Sequence, residues 1–217
     1  MLEEDIHKAV KILKAEAGKF KTPYVTEVAE RKDPFKVLIS CILSLRTKDE
    51  TTALASKRLF TLAGTPGTMA RLSQGVIEKA IFPAGFYRIK AGTIKEISKR
   101  LVTEFGSRVP DTIEELLTFK GVGRKTANLV VTMGYDKPGI CVDTHVHRIT
   151  NRWGYISTRS PLETEFELRK KLPKKYWMII NDLLVTYGQN VCRPISPFCS
   201  RCLLSGICEK KNVGASR

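Results

Sequence analysis

Residues 119–127 read FKGVGRKTA, and this stretch decides the fold. Apolar residues at helical spacing precede it and follow it, so two helices are predicted to meet at the turn that holds Gly121 and Gly123. Glycine permits positive φ and the close approach of another backbone. The amides of such a turn, beside the start of a helix, form an anion site that suits a phosphate group. The alternative is an ordinary packing element, in which the glycines only end the first helix.

Helical spacing also organises the chain before this turn. Ile6 and Val10 share one face of an opening helix. Asp33 followed by Pro34 is typical of a helix start, with an N-cap and a proline at the first helical position. By periodicity alone, the apolar run at 37–43 fits a buried strand as well as a buried helix. The start signal and the length favour a central core helix.

Turn residues divide the rest of the chain into further helices. The predicted fold class is therefore all-α, with short connections between helices. Aromatic residues such as Phe86 and Trp153 are expected in the core by default. The further helices are predicted over residues 49–62, 68–72, 76–81, 88–104, 112–119, 124–133, 143–153, 161–172 and 176–189.

The chain carries a large positive charge. Its 217 residues include 37 Lys and Arg against 22 Asp and Glu, which gives a net charge of +15. Basic side chains gain affinity for a polyanion by releasing its counterions, so a nucleic acid is the favoured partner. The alternative is a lysine-rich protein that binds nothing in particular.

The sequence contains no signal for a membrane or for export. No window approaches the roughly 18 unbroken apolar residues of a membrane span. The first residues, MLEED, are acidic and are not followed by an apolar signal core. We therefore expect a cytoplasmic or chromosome-associated protein that makes no membrane contact. We also expect this protein to act as a monomer.

Lys125 lies in the first turn of the helix after the glycines, and Asp143 follows in the run VDTH at 142–145. A lysine amine attacks carbon only in its neutral form. The helix N-terminus, the neighbouring cations Lys120 and Arg124 and an expected partial burial favour that form, whereas a nearby carboxylate favours the ammonium. The carboxylate is therefore expected to accept the amine's proton or to stabilise a cationic sugar. The alternatives are a phosphate contact for Lys125 and an N-cap for Asp143, and the N-cap is expected in either case.

Four of the six cysteines follow one another closely, with the spacing Cys192-x6-Cys199-x2-Cys202-x5-Cys208. A chain that is not exported is not expected to hold structural disulfides, so this spacing predicts a metal site. No histidine lies nearby in the sequence, and ligation by four sulfurs suits either zinc or an iron–sulfur cube. The chemistry of the residues leaves both choices open.

Together these features resemble the endonuclease III family of helix–hairpin–helix DNA glycosylases. The hairpin at 120–127, the run at 142–145 and the spacing of the four cysteines match the family in place, and the likeness extends over nearly the whole chain. The resemblance implies a two-domain all-α fold. A six-helix barrel would span 27–137, and residues 1–26 and 138–217 would form a second domain that carries the cysteines.

The same resemblance implies an activity and a role for each site residue. Lys125 would be the nucleophile and Asp143 the catalytic carboxylate of a bifunctional DNA glycosylase and abasic-site lyase of base excision repair. Such an enzyme removes oxidised pyrimidines from double-stranded DNA and nicks the strand 3′ to the abasic site through a lysine Schiff base. Cys192, Cys199, Cys202 and Cys208 would hold a [4Fe–4S] cluster, and the implied DNA contacts are Gly121, Gly123, Arg46, Phe86, His145 and Arg193.

The chain departs from the family pattern at three places. Arg46 stands where bacterial members usually have a glutamine that fills the space left by the flipped nucleotide. Phe86 stands where many members have a leucine that intercalates between bases. Arg193 is the only basic residue between the first two cysteines, so a weaker hold on phosphate is expected there.

Two other functions stay open beside this one. The first is a mismatch-specific thymine or uracil glycosylase on the same fold, and Lys125 argues against it because such enzymes do not cut the strand. The second is a non-catalytic, cluster-bearing protein that only binds DNA. The presence of both Lys125 and Asp143 disfavours it.

Overall fold

A computed structural model of the chain describes residues 1–20 and 33–217. Every regular element in these ranges is helical, which confirms the predicted fold class. The chain divides into two compact units, Met1–Thr22 with Pro138–Arg217, and Pro23–Lys137. The domain boundary predicted between residues 26 and 27 lies outside the described residues. Among the helices of the described ranges, none has the length and apolar character that crossing a membrane requires.

The α-helices are numbered along the described chain. The unit Pro23–Lys137 contains α2 (Pro34–Ser44), α3 (Asp49–Leu62), α4 (Pro66–Arg71), α5 (Gln74–Ile81), α6 (Tyr87–Glu104), α7 (Ile113–Leu117) and α8 (Arg124–Leu129), which continues into a π-helical turn at Val130–Gly134. The other unit contains α1 (Asp5–Ala17), α9 (Thr144–Arg152), α10 (Pro161–Lys171), a 3₁₀ turn at Lys174–Tyr176 and α11 (Ile180–Asn190).

The apolar run at 37–43 lies within α2, so the helical interpretation is confirmed. The Asp33 side chain accepts a hydrogen bond from the Lys36 backbone N–H at 3.1 Å, and Pro34 occupies the first turn, as the start signal predicts. Every residue from Val37 to Leu43 is buried. The helix packs against α3, α6, α8 and the π-helical turn, and it therefore forms the centre of this unit.

The other unit is built around α11, against which α1 and α9 pack. Ile6, Val10 and Leu13 of α1 are buried, which confirms the predicted apolar face. The segment 191–217, which follows α11, contains no helix. In this segment only Val191, Pro197 and Leu204 are buried and the four cysteines are partly buried, so hydrophobic packing by itself gives the segment limited support.

Two predicted helices end differently in the structure. The helix predicted over 124–133 changes at Val130 into the π-helical turn, and Gly134 at its end lies so close to Pro34 that an added Cβ would be 3.0 Å from the Pro34 Cα. The helix predicted over 176–189 is divided into the 3₁₀ turn and α11. The first difference arises where packing against Pro34 acts on the helix, which periodicity does not report.

Candidate active site and nucleic-acid interface

The turn between α7 and α8 contains two glycines with different structural roles. Gly121 has φ +86°, and a Cβ added to it would lie 2.9 Å from Cγ2 of Thr93 on α6. Gly123 has an ordinary φ of −92°, and a Cβ added to it would meet nothing within 4 Å. The chain's own backbone and packing therefore require glycine at position 121. At position 123 they do not, and the space beside that residue is open to a ligand.

Lys125 lies in the first turn of α8, directly after this hairpin, and its side chain is exposed. The expected partial burial is therefore wrong. Burial raises the pKa of the Cys41 thiol of α2 to about 12, and the positive charge of Lys125 acts on that thiol in the opposite direction. The Lys125 ammonium thus lies within electrostatic range of Cys41 on the central helix α2.

Asp143 is the N-cap of α9, as the sequence predicts. Its Oδ1 accepts hydrogen bonds from the backbone N–H groups of His145 at 2.8 Å and Val146 at 2.9 Å. The carboxylate is partly buried, and the helix N-terminus fixes its orientation. Lys125 and Asp143 belong to different units, and the start of a helix positions each of them within its own unit.

Two arginines connect α9 to the cysteine segment, and reasoning from the sequence missed both. The Arg148 guanidinium donates to Nδ1 of His145 at 3.0 Å and to the carbonyl of Cys192 at 2.9 Å, and burial lowers its pKa. Arg152 donates to Sγ of Cys192 at 3.4 Å and to the Arg193 carbonyl at 2.7 Å. The signal available in the sequence was their spacing of four residues, which places both on one face of the helix. The helix that begins at Asp143 is thereby held to the first cysteine.

The four cysteines line a single cavity, together with Arg152, Trp153, Tyr187 and Phe198. The Tyr187 hydroxyl lies 3.2 Å from Sγ of Cys202, and the Lys210 backbone N–H donates to Sγ of Cys208 at 3.4 Å. Burial raises the pKa of the Cys192 thiol, and the Arg152 guanidinium acts against that shift. Within residues 1–20 and 33–217, no three His, Cys, Asp or Glu side chains are placed to share one metal ion. The four thiols thus line a common space.

Three arginines surround the ring of Phe198 in the cysteine segment. The guanidinium carbons of Arg201, Arg217 and Arg193 lie 3.9, 4.5 and 5.1 Å from the ring centroid. Arg217 is also bound through its backbone, because its N–H donates to the Pro197 carbonyl at 2.8 Å. All three arginines are exposed. Arg201 and Arg217, which lie outside the loop between Cys192 and Cys199, therefore add two cations beside Arg193 on this surface.

Arg46 and Phe86 lie together at the surface of the unit Pro23–Lys137. The Arg46 guanidinium carbon is 5.6 Å from the centroid of the Phe86 ring. Phe86 is 56% exposed, so the default expectation of a core position is wrong for it, whereas Trp153 is buried as expected. Both Arg46 and Phe86 line an open cavity with Ile89 and with Gly121 of the hairpin.

Comparison with known proteins identifies the family. Residues 39–174 match the HhH-GPD superfamily of base excision DNA repair proteins. The chain is 50% identical to endonuclease III of Thermotoga maritima over 177 residues, which are 82% of this chain and 83% of that protein. This chain belongs to the endonuclease III family. It is therefore a DNA glycosylase of base excision repair with abasic-site lyase activity, which confirms the predicted function at this level.

Two further members of the family extend the comparison. The chain is 43% identical to the chloroplastic endonuclease III homolog 2 of Arabidopsis thaliana over 183 residues, covering 80% of this chain and 47% of that protein. A solved structure of a trapped endonuclease III–DNA covalent intermediate, an estranged-adenine complex, superposes with a TM-score of 0.83 at 30% identity. That superposition covers 97% of both chains.

Proposed function

We propose that this chain removes oxidised pyrimidines from double-stranded DNA and then nicks the strand 3′ to the abasic site, with Lys125 as the nucleophile. The observation that carries the proposal is the position of Lys125 in the first turn of α8, directly after a hairpin whose Gly123 faces open space. A phosphate held at the hairpin would bring the adjacent sugar to the amine. A relative of 30% identity has been trapped as a covalent intermediate with DNA, which supports a covalent mechanism.

The proposed reaction has two covalent steps. Nζ of Lys125 forms a bond to the anomeric carbon of the sugar while the bond from that carbon to the base breaks, and the base leaves with the electron pair. Opening of the sugar ring produces an imine between Lys125 and the sugar. Removal of a proton from the neighbouring sugar carbon then breaks the bond to the 3′ phosphate, which leaves as the anion. The strand is thereby cut without hydrolysis of a phosphate ester.

Asp143 is proposed to act on the charges that this reaction creates. Its carboxylate is held at the N-terminus of α9 by two backbone hydrogen bonds to Oδ1. A carboxylate in a fixed orientation stabilises a developing cationic sugar without reorganising, and it also accepts a proton from the Lys125 ammonium, which frees the amine for its attack. The connection from α9 through Arg148 to Cys192 keeps that helix in place.

DNA binding is proposed to use two surfaces besides the catalytic residues. Backbone amides beside Gly121 and Gly123 approach one phosphate, and the arginines around Phe198 approach others. Arg46 and Phe86 are proposed to enter the base stack when the damaged nucleotide is flipped out. Their exposure and their mutual contact support this role. His145 and Arg193 are proposed as further DNA contacts.

The four cysteines are proposed to hold a [4Fe–4S] cluster. The four thiols line one cavity, and the spacing of the cysteines in the sequence is the one that the family resemblance implies for such a cluster. The cluster supplies no chemistry at the sugar and gives shape to the segment that carries Arg193 and Arg201. We further propose that the enzyme works as a monomer in the cytoplasm, associated with the chromosome.

Borohydride trapping tests the nucleophile. Incubating the protein with an abasic-site duplex and borohydride should reduce the imine to a stable protein–DNA adduct. Lys125→Gln should lower trapping and nicking on the order of 10³-fold or more, the scale of removing a nucleophile. Lys120→Gln is the matched control, because it removes the same charge from the same hairpin and should retain trapping. Adduct formation that persists in Lys125→Gln, or its absence from the wild-type protein, would contradict the proposal.

Asp143→Asn separates the charge of this residue from its role as an N-cap. Asparagine caps helices about as well as aspartate, so α9 should keep its start and the protein its stability. Base removal from a lesion duplex should slow by about 100-fold or more, whereas nicking of a pre-formed abasic site should slow much less, because the base has already left. Equal slowing on both substrates would assign Asp143 to the elimination step instead. Single-turnover rates on the two duplexes measure the difference.

A further inference from the structure

Lys90 of α6 is a buried lysine whose ammonium has three close acceptors. Only 6% of the residue is exposed. Its Nζ donates to the carbonyl oxygens of Leu43 at 2.7 Å and Leu45 at 2.6 Å, and to Oγ1 of Thr47 at 2.7 Å. An ammonium has three donors, so this group is fully satisfied. Burial lowers the pKa of Lys90 to about 8. Keeping a cation here therefore costs free energy, which calls for a function that the cation performs.

The acceptors of Lys90 lie where α2 ends. Leu43 is in the last turn of α2, where carbonyl groups lack helical partners, and a cation at this end also suits the helix dipole. Leu45 and Thr47 lie in the loop that leads from α2 to α3. Between them is Arg46, which has φ +51°. Lys90 thus fixes the loop on both sides of Arg46.

The same contact reaches the loop before α6. Oγ1 of Thr47 accepts a second hydrogen bond, from the Gly85 backbone N–H at 3.1 Å. A Cβ added to Gly85 would lie 2.5 Å from the Arg46 carbonyl oxygen, so the two backbones touch directly. The next residue, Phe86, has φ +57°. Lys90, Thr47 and Gly85 therefore join the two loops that carry Arg46 and Phe86.

Arg46 and Phe86 both adopt the left-handed conformation that is unfavourable for residues with a side chain. Such conformations persist where the surrounding contacts determine them. Neither side chain is held by burial, because both are exposed. The determining contacts are those of the loops, and the ammonium of Lys90 makes three of them.

We propose that Lys90 is a positioning residue, which holds Arg46 and Phe86 side by side in the geometry that opens the DNA base stack. This inference rests on the proposed function only for the roles of Arg46 and Phe86. The Lys90 ammonium is directed towards loop oxygens, and no contact with the reacting sugar is assigned to it. Its loss should therefore impair the opening of a duplex and spare the chemistry on DNA that is already open.

Stack opening is measured with 2-aminopurine, which fluoresces more strongly when it is unstacked. The probe is a duplex with 2-aminopurine opposite a tetrahydrofuran abasic analogue, which cannot form an imine, so the measurement is independent of Lys125. Lys90→Met should reduce the fluorescence rise at saturating protein by about 10-fold, roughly the effect of one charged hydrogen bond. Lys99→Met removes a charge from an exposed position of the same helix and should leave the rise unchanged.

Thr47 provides a second test that leaves the charge of Lys90 in place. Thr47→Val removes the hydroxyl that joins Lys90 to Gly85 and should reduce the fluorescence rise, whereas Thr47→Ser keeps the hydroxyl and should restore it. Nicking of a single-stranded abasic oligonucleotide should stay within about 3-fold of wild type in all these variants, since that substrate has no stack to open.

A normal fluorescence rise in both Lys90→Met and Thr47→Val would overturn the inference. Equal losses on the duplex and the single strand would also overturn it, because they would show a general structural role. Failure of the proposed function is seen separately, as borohydride trapping that does not depend on Lys125. Should Lys90→Met not fold, the comparison of Thr47→Val with Thr47→Ser decides the question.

Discussion

The two surfaces proposed to hold phosphate, the hairpin at 119–127 and the cysteine segment at 191–217, are built in opposite ways. The hairpin joins two short helices on an aliphatic core, and it offers backbone amides beside Gly123. The cysteine segment has no helix, and it offers guanidinium groups around the Phe198 ring. Packing determines the shape of the first surface. The second depends on its thiols and on contacts from α9, so the two should respond differently to substitution.

Cys192→Ser should have the largest effect, and it should act on the cysteine segment alone. A metal-bound segment folds with the free energy of metal binding, so losing a ligand should cost more than about 3 kcal/mol of stability in that region. The wild-type protein should be yellow-brown with broad absorption near about 400 nm, and the variant should lose that colour. Hydrogen exchange of α2 and α8 should stay near wild type.

Cys141→Ser is the control for this substitution, because Cys141 is a buried thiol of the same unit that does not line the cavity. It should retain the colour. A colourless wild-type protein that is active and carries one zinc ion would contradict the cluster assignment and leave the hairpin interpretation intact.

Alanine at the two hairpin glycines should separate folding from DNA binding. Gly121→Ala should destabilise the protein by about 1–3 kcal/mol, because φ is positive and the new Cβ would press on Thr93. Gly123→Ala should leave the stability unchanged or raise it by about 0.5 kcal/mol, since its φ suits any residue. It should nevertheless weaken DNA binding, because the methyl group occupies the open space. Denaturant unfolding and DNA titration measure the two effects, and unimpaired binding by Gly123→Ala would remove the hairpin from the interface.

The smallest effect is expected at the arginines around Phe198. Arg201→Gln and Arg217→Gln should each weaken DNA binding slightly and reduce the slope of log K against log salt by about 0.9, the value for one phosphate contact. Lys8→Gln, at an exposed position of α1, is the matched loss of charge and should leave the slope unchanged. Slopes that do not move in Arg201→Gln and Arg217→Gln would show that these groups only pack on Phe198.

The sequence by itself determined the fold class and most of the helices. The N-cap at Asp33, the apolar run of α2 and the glycine turn before α8 are local signals, and the structure contains each of them. Asp143 was also predicted as an N-cap from its neighbours alone, and Oδ1 accepts the expected backbone bonds. Signals of this kind succeed because capping and periodicity depend on residues a few positions apart.

Only the tertiary structure decided how distant residues combine. The structure alone showed that Lys125 and Phe86 are exposed. It also brought together residues that periodicity does not relate, in the two connections from α9 to Cys192 and in the three arginines around one ring. Lys90 is the clearest example of a role that only the structure shows, because nothing in the sequence distinguishes it from the other lysines of a basic helix. Its three acceptors lie more than 40 positions away, at the end of another helix. Burial and hydrogen bonding between distant segments arise only when helices pack, so a local sequence pattern does not predict them.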